Sequence, residues 1–241
     1  MNVAAPSDRL PPTLRTAAFW ARFHAMRSLQ RPATVLWLAA LVVVSVGLRI
    51  AGDSRDVVTF LVTLALPLLA LFFGSGGLRE EVEDQTLTYA FVRPLDRGAI
   101  FLARTTAAAV IVMIPIVIGL LVAMSSPLDL PYQLAVALLG VLAYVPLFAT
   151  LGLVLQHPML VGLAVLAWDQ ILGAVPGFLS LLTVRTHLRG LLELPSAGGM
   201  LAAMVKPPSP WVSVPVLLGV AVVCCTVGVL WVRKRELVVP K

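Results

Sequence analysis

Charged residues are scarce in this chain: only 12% of its 241 residues are Asp, Glu, Lys or Arg, whereas 59% are hydrophobic. A soluble globular domain carries about 25% charged residues. The shortage therefore excludes an ordinary soluble domain and a disordered chain. Together with a mean hydropathy of +0.97, it indicates an integral membrane protein.

Cysteine and histidine are also scarce. The two cysteines, Cys224 and Cys225, are neighbours inside an apolar run, a spacing that suits neither a disulfide framework nor a metal site. The three histidines, His24, His157 and His187, fall in separate segments, so we expect no metal site. The 18 Lys and Arg residues outnumber the 12 Asp and Glu residues. In so apolar a chain this excess fits loops that face anionic lipid, so we expect the bilayer and not nucleic acid as a partner.

Long apolar runs occupy most of the chain. A helix needs about 20 residues to cross the hydrocarbon core, and six runs approach that length: residues 33–50, 57–78, 100–124, 132–155, 159–182 and 211–232. We predict an all-α membrane protein with six transmembrane helices in one domain, residues 33–232. Pro67, Pro115, Pro146 and Pro176 lie inside these spans, where neighbouring helices must satisfy the carbonyls that proline frees. Residues 174–177 are a candidate break in the fifth span.

The segments outside the spans differ in charge and hydropathy. Residues 1–32 form a tail that lacks the early apolar core of a signal peptide. Residues 14–29 suit a helix at the membrane interface, and the alternative is a plain solvated tail. With this tail in the cytoplasm, thirteen of the eighteen basic residues lie on the cytoplasmic side, as the positive-inside rule requires. We predict that both termini are cytoplasmic, with residues 233–241 as the second tail. The apolar outer connection, residues 183–210, predicts short re-entrant or surface helices.

The connection between the second and third spans differs from the others, because it holds five of the twelve acidic residues, at positions 80, 81, 83, 84 and 96. After the first four of these, Leu87, Ala90 and Phe91 share one face of a short helix that Pro94 ends. Such an amphipathic helix at the cytoplasmic surface either docks a soluble partner or lies on the membrane and caps the bundle. Amphipathicity alone favours neither interpretation.

The same segment resembles the signature E-x-E-x-G-T-L…P-x-x-R…K of type-2 ABC transporter (ABC-2) permeases. The matching residues are Glu81, Glu83, Thr86, Leu87, Pro94 and Arg97. Gln85 replaces the usual glycine and Arg104 the usual lysine. In that family the segment forms the coupling helix that docks on the ATPase subunit, so the resemblance implies a coupling role for residues 79–98, including Ala90 and Phe91.

The resemblance also implies a permease subunit without catalytic activity of its own. Two six-helix subunits, expected here to be a homodimer, would form the translocation path, and two separate ABC ATPase subunits would bind ATP and Mg²⁺. The sequence agrees on one point, since it contains no G-x-x-x-x-G-K-[ST] phosphate loop. We expect an exporter of the cell inner membrane.

Asp169, beside Gln170, is the acidic residue that lies near the middle of a span. Ionised burial there costs about 3 kcal/mol on insertion scales, so the residue is a candidate for function. It either faces the translocation path, contacts a second copy of the chain, or is satisfied structurally by neighbours. The alternative function is an ion-coupled secondary transporter that uses Asp169. That class normally shows paired broken helices, whereas the sequence offers one clear candidate break, at Pro176.

Overall fold

The computed structural model describes residues 12–83, 97–124, 128–173, 178–194 and 208–234, and every regular element in them is a helix. The first half comprises α1 (Pro12–Leu29), α2 (Pro32–Ala51), α3 (Ser54–Phe60), a π-helical turn (Leu61–Ala65) and α4 (Leu66–Glu83). The second half comprises α5 (Arg97–Ala123), α6 (Leu130–Val154), α7 (Pro158–Leu172), a 3-10 helix (Phe178–Leu182), α8 (Val184–Leu191) and α9 (Pro210–Lys234).

Five helical segments of this described part are long and apolar enough to cross a membrane: Thr34–Ala51, Ser54–Gly76, Arg97–Ala123, Leu130–Val154 and Pro210–Lys234. They confirm an all-α membrane protein. Helix α7 covers only the first part of the predicted span 159–182, because it ends at Leu172 after 15 residues. That length is about 22 Å, against about 30 Å of hydrocarbon. The count of six spans therefore stays a prediction.

The second span is longer than the predicted range 57–78. It begins at Ser54, where the Asp53 carboxylate accepts a hydrogen bond from the Asp56 amide and the Asp56 carboxylate accepts one from the Asp53 amide at 3.2 Å. This reciprocal pairing is a capping box, which satisfies amides that would otherwise lack acceptors. At its other end the helix continues to Glu83.

Helix α6 is the centre of the bundle, because α4, α5, α7, α8 and α9 all pack against it. Its Tyr144 and Phe148 are fully buried, with ring centroids 6.1 Å apart. Helices α1 and α2 pack on α5. Helices α2 and α9 bury only a small share of their residues, so most of their apolar surface faces outward, as in helices that face lipid.

Contacts between helix ends define two ends of the bundle. At one end, which we call the α1 end, Gly228 near the end of α9 lies against Phe101 near the start of α5. At the other, which we call the α8 end, the Tyr132 hydroxyl at the start of α6 donates to the carbonyl oxygen of Leu191 at the end of α8. Helices α5 and α9 therefore run in opposite directions. Helix α4 ends at the α1 end, because its Ser75 lies against Gly152 near the end of α6.

Helices α4 and α6 approach closely at a glycine. A Cβ atom on Gly152 would lie 2.8 Å from the backbone oxygen of Ser75 and 3.1 Å from its Cα. Because backbone atoms cannot rotate away, we expect Gly152→Ala to separate the helices and lower the free energy of unfolding by about 1–3 kcal/mol. Thermal unfolding of the detergent-solubilised chain measures this change.

The matched control is Gly219→Ala on α9, where a Cβ would meet nothing within 4 Å. Because alanine is the better helix former, this change should stabilise the protein by up to about 1 kcal/mol. Equal melting temperatures for the two variants would contradict the close contact at Gly152.

Candidate functional site

Asp169 is buried near the end of α7, with 7% of its surface exposed. Its Oδ2 accepts a hydrogen bond from the Tyr144 hydroxyl of α6 at 2.5 Å. Its Oδ1 faces the start of α8, where the Arg185 amide donates at 3.5 Å and the Val184 amide also contributes. A helix N-terminus presents free amides and a partial positive charge, which suits a carboxylate. The carboxylate is thus held by groups of its own chain.

The side chain of Gln170 donates a hydrogen bond to a backbone carbonyl oxygen that lacks its usual amide donor because of Pro67. Proline has no N–H, so Pro67 cannot donate to the Thr63 oxygen four residues earlier. Gln170 Nε2 donates to this oxygen instead, at 2.6 Å. Thr63 lies within the π-helical turn, and such turns are rare and frequently occur at functional sites.

Helix α8 is fixed to the bundle at both ends. At its start, Arg185 Nη1 donates to the backbone oxygen of Gln170 at 2.7 Å, and the hydroxyl oxygen of the N-cap Thr183 accepts from the Thr186 amide at 3.4 Å. At its end, the Tyr132 hydroxyl lies 2.5 Å from the Leu191 oxygen. The short helix predicted for this connection is therefore present, and it is embedded in the bundle.

His187 joins α8 to α9 and is almost fully buried. Its Nε2 lies 2.9 Å from the Leu181 oxygen and its Nδ1 lies 3.2 Å from Ser213 Oγ. Because a carbonyl oxygen only accepts, Nε2 carries the proton and Nδ1 accepts from the serine hydroxyl. Both ring nitrogens are thus engaged. Within the described ranges, no group of three His, Cys, Asp or Glu residues is arranged to hold a metal.

The packing of α1 against α5 perturbs His24 at the α1 end. Burial is the largest cause, and the charges of Arg104 and Arg27 add to it, so that the pKa of His24 falls from 6.5 to about 4. The exposed side of α1 carries Phe19, which is 65% exposed, and Phe23 and Met26 on the same helix face. Such an apolar row is typical of a helix at a membrane surface.

We expect acid to weaken the packing of α1 on α5. The pKa of His24 is lower in the packed helix than in a detached one, so the detached helix binds the proton more readily. The stabilisation from neutral His24 is fully present above about pH 6.5 and is lost as the pH falls towards 4. An NMR titration of the labelled ring in the full chain measures the pKa. Glutamine cannot titrate, so His24→Gln should remove the pH dependence of the packing of α1 on α5. A His24 pKa near 6.5 in the packed helix would contradict the expectation.

A family model described as ABC-2 family transporter protein matches residues 21–170. The match covers more than half of the chain and extends from α1 to the polar residues at the end of α7. The chain belongs to the ABC-2 transporter family. No curated protein matches its sequence. The predicted resemblance is therefore confirmed, and the chain is a multi-pass membrane component of a transporter.

The predicted coupling residues of this ABC-2 permease are described only in part. Glu81 and Glu83 lie on the last turn of α4, and Arg97 is the first residue of α5. The two helices thus bring both ends of the predicted coupling segment to the α1 end. Thr86, Leu87, Ala90, Phe91 and Pro94 lie outside the described residues, so the coupling helix itself stays a prediction.

Asp169 and Gln170 of the permease are candidates from the sequence alone, whereas their partners are visible only in the structure. Thr63 carries a usable signal, because it lies four residues before Pro67. Tyr144 and Arg185 carry none, because their contacts depend on how separate helices pack. A translocation path or a contact with a second copy remains a prediction for Asp169 and Gln170.

Proposed function

We propose that this chain is the permease subunit of an ATP-driven ABC-2 exporter, a homodimer that works with two copies of a separate ABC ATPase. The family match over residues 21–170 carries the proposal, because it spans the segment that resembles the coupling signature. The sequence has no phosphate loop, so ATP and Mg²⁺ would bind to the ATPase.

Charge supports an orientation with the α1 end in the cytoplasm. Thirteen of the eighteen Lys and Arg residues belong to segments that flank this end in the sequence, and the other five are Arg49, Arg55, Arg185, Arg189 and Lys206. Basic residues are retained on the cytoplasmic side. In the inner membrane, this orientation presents residues 79–98 to a cytoplasmic ATPase and leaves both termini in the cytoplasm.

The second span is suited to carry force from the ATPase into the bundle. Helix α4 contains 18 residues without interruption, or about 27 Å. It begins beside the π-helical turn at the α8 end and ends at Glu83 at the α1 end, and it packs closely on α6. A displacement at Glu83 would therefore reach the core of the permease along a rigid element.

Purification of the tagged chain from its native membrane in mild detergent tests this proposal. We expect an ABC ATPase to co-purify in stoichiometric amount and the complex to hydrolyse ATP. A tagged membrane protein of another family, purified from the same cells, is the control for nonspecific recovery. A chain that purifies alone in several detergents, without ATP hydrolysis, would overturn the proposal.

A further inference from the structure

The π-helical turn of the second span is held in place from outside the span. Within the turn, the Leu66 amide donates to the Leu61 oxygen, five residues earlier. The donor to the Thr63 oxygen comes from another helix, because Gln170 Nε2 lies 2.6 Å from it. Conversion of the turn to α-helix would rotate the flanking helices relative to each other by about 100°. That rotation would withdraw the Thr63 oxygen from Gln170.

The same turn packs against α8. Gly140 of α6 leaves a space that Leu66 and Leu188 share: a Cβ atom there would lie 3.1 Å from Leu66 Cδ1 and 3.0 Å from Leu188 Cδ1. Both leucines are fully buried. Because the interior is close-packed, displacement of Leu66 would remove a packing contact of Leu188 and so weaken the hold on α8.

Gln170 contacts α8 as well as the π-helical turn. Its backbone oxygen accepts from Arg185 Nη1 at 2.7 Å, and the neighbouring Asp169 faces the amide of the same arginine. One residue therefore holds the second span with its side chain and α8 with its backbone.

We propose that Gln170 is a positioning residue that ties the π-helical turn of the second span to α8, so that conversion of the turn to α-helix releases α8. The inference rests on the proposed function, because the force would come from the ATPase at the Glu83 end of α4. In the structure, the turn, Gln170 and α8 hold one another through these contacts. Rotation of α4 withdraws the Thr63 oxygen and Leu66 together, and α8 loses both links to the second span.

Hydrogen exchange of residues 184–191 in the full chain in nanodiscs tests the link without the ATPase. Gln170→Leu removes the donor to Thr63 and should speed this exchange about tenfold, the effect of one lost buried hydrogen bond. It should also lower the melting temperature. Gln133→Leu makes the same chemical change on α6 outside the contact with the π-helical turn, and it should leave the exchange of α8 unchanged.

A second substitution separates positioning from mere packing. Pro67→Ala supplies a backbone amide that can donate to the Thr63 oxygen in an α-helical turn. In Pro67→Ala/Gln170→Leu we expect the melting temperature to recover while exchange of residues 184–191 stays fast, because the carbonyl is satisfied but the π-helical turn is lost. Recovery of α8 protection together with stability would overturn the proposal, as would unchanged exchange in Gln170→Leu. Failure of the melting temperature to recover would also overturn it, because loss of the hydrogen bond to the Thr63 oxygen would then not explain the effect of Gln170→Leu.

In the co-purified complex, nucleotide tests whether the ATPase acts on α8, and hydrogen exchange is again the readout. ATP with vanadate should speed exchange of residues 184–191 in the wild type and have no further effect in Gln170→Leu. An unchanged wild-type exchange with an active ATPase bound would overturn the link while leaving the proposed function intact. Absence of any co-purified ATPase would instead contradict the proposed function, and the nanodisc experiment would still test the link between Gln170 and α8.

Discussion

Replacement of both Leu87 and Phe91 with aspartate should abolish association of the permease with its ATPase and leave membrane insertion intact. The two side chains share the apolar face of the predicted coupling helix, in which positions three and four residues apart are neighbours. Apolar anchors of this kind cost about 2 kcal/mol or more each when an interface loses them. Two buried carboxylates add a desolvation penalty, so binding should fall by more than about a hundredfold.

The measurement is the amount of ATPase recovered with the tagged permease, at equal permease in the membrane fraction. The matched control is Gln85→Asp with Tyr89→Asp, which adds the same charge to the opposite face of the predicted helix, about 160° from Leu87 at 100° per residue. This control should retain the complex. Equal loss of ATPase in both double variants would contradict docking through the face of Leu87 and Phe91. A normal complex in Leu87→Asp/Phe91→Asp would contradict the coupling role of residues 79–98.

Asp169→Leu should destabilise the permease far more than Asp169→Asn. Leucine removes the acceptor for the Tyr144 hydroxyl, which lies 2.5 Å from Asp169 Oδ2, and for the amides at the start of α8. Each buried donor left without an acceptor costs about 1–3 kcal/mol. Asparagine keeps the volume and one oxygen that can accept from Tyr144, so its cost should be the smaller one.

Thermal unfolding in detergent compares the two variants, and a double-mutant cycle with Tyr144→Phe isolates the hydrogen bond. Tyr144→Phe should cost about 1 kcal/mol in the wild type and much less in the Asp169→Leu background. Equal stability of the leucine and asparagine variants would show that the hydrogen bond is energetically unimportant.

The same substitutions separate the permease from an ion-coupled carrier. If Asp169 were the coupling acid of a secondary transporter, the unmutated chain would transport with a proton gradient and no ATP, and Asp169→Asn would abolish that transport. For an ABC-2 permease we expect no transport without ATP in either protein.

The membrane spans were predictable because the length of a continuous apolar run can be read directly from the local sequence. Four of the five long helices begin and end within three residues of the predicted runs, whereas the second span continues into residues that look like a polar loop. The acidic residues Glu81 and Glu83 suggested a connection, but α4 includes both. Helix α7 ends at Leu172, and the break predicted at residues 174–177 lies outside the described residues.

The polar contacts were not predictable, because a helix that is apolar on every side carries no periodicity to show which face meets which neighbour. Tyr144 and Asp169 are on different helices, and nothing in the sequence pairs them. The burial of α8 was also difficult to predict, because its basic residues suggest a surface location. In the structure Arg189 is buried, and this burial, followed by the charge of Arg185, lowers the pKa of Arg189.

Site-specific photocrosslinking in native membranes identifies the protein that lies against the predicted coupling helix. A photoreactive amino acid in place of Leu87 should crosslink to a polypeptide that carries an ATP-binding phosphate loop. The same group in place of Leu128, which is 88% exposed at the α8 end, should give no such product. Crosslinking of the ATPase from position 128, or of an unrelated protein alone from position 87, would contradict a permease that is driven through residues 79–98.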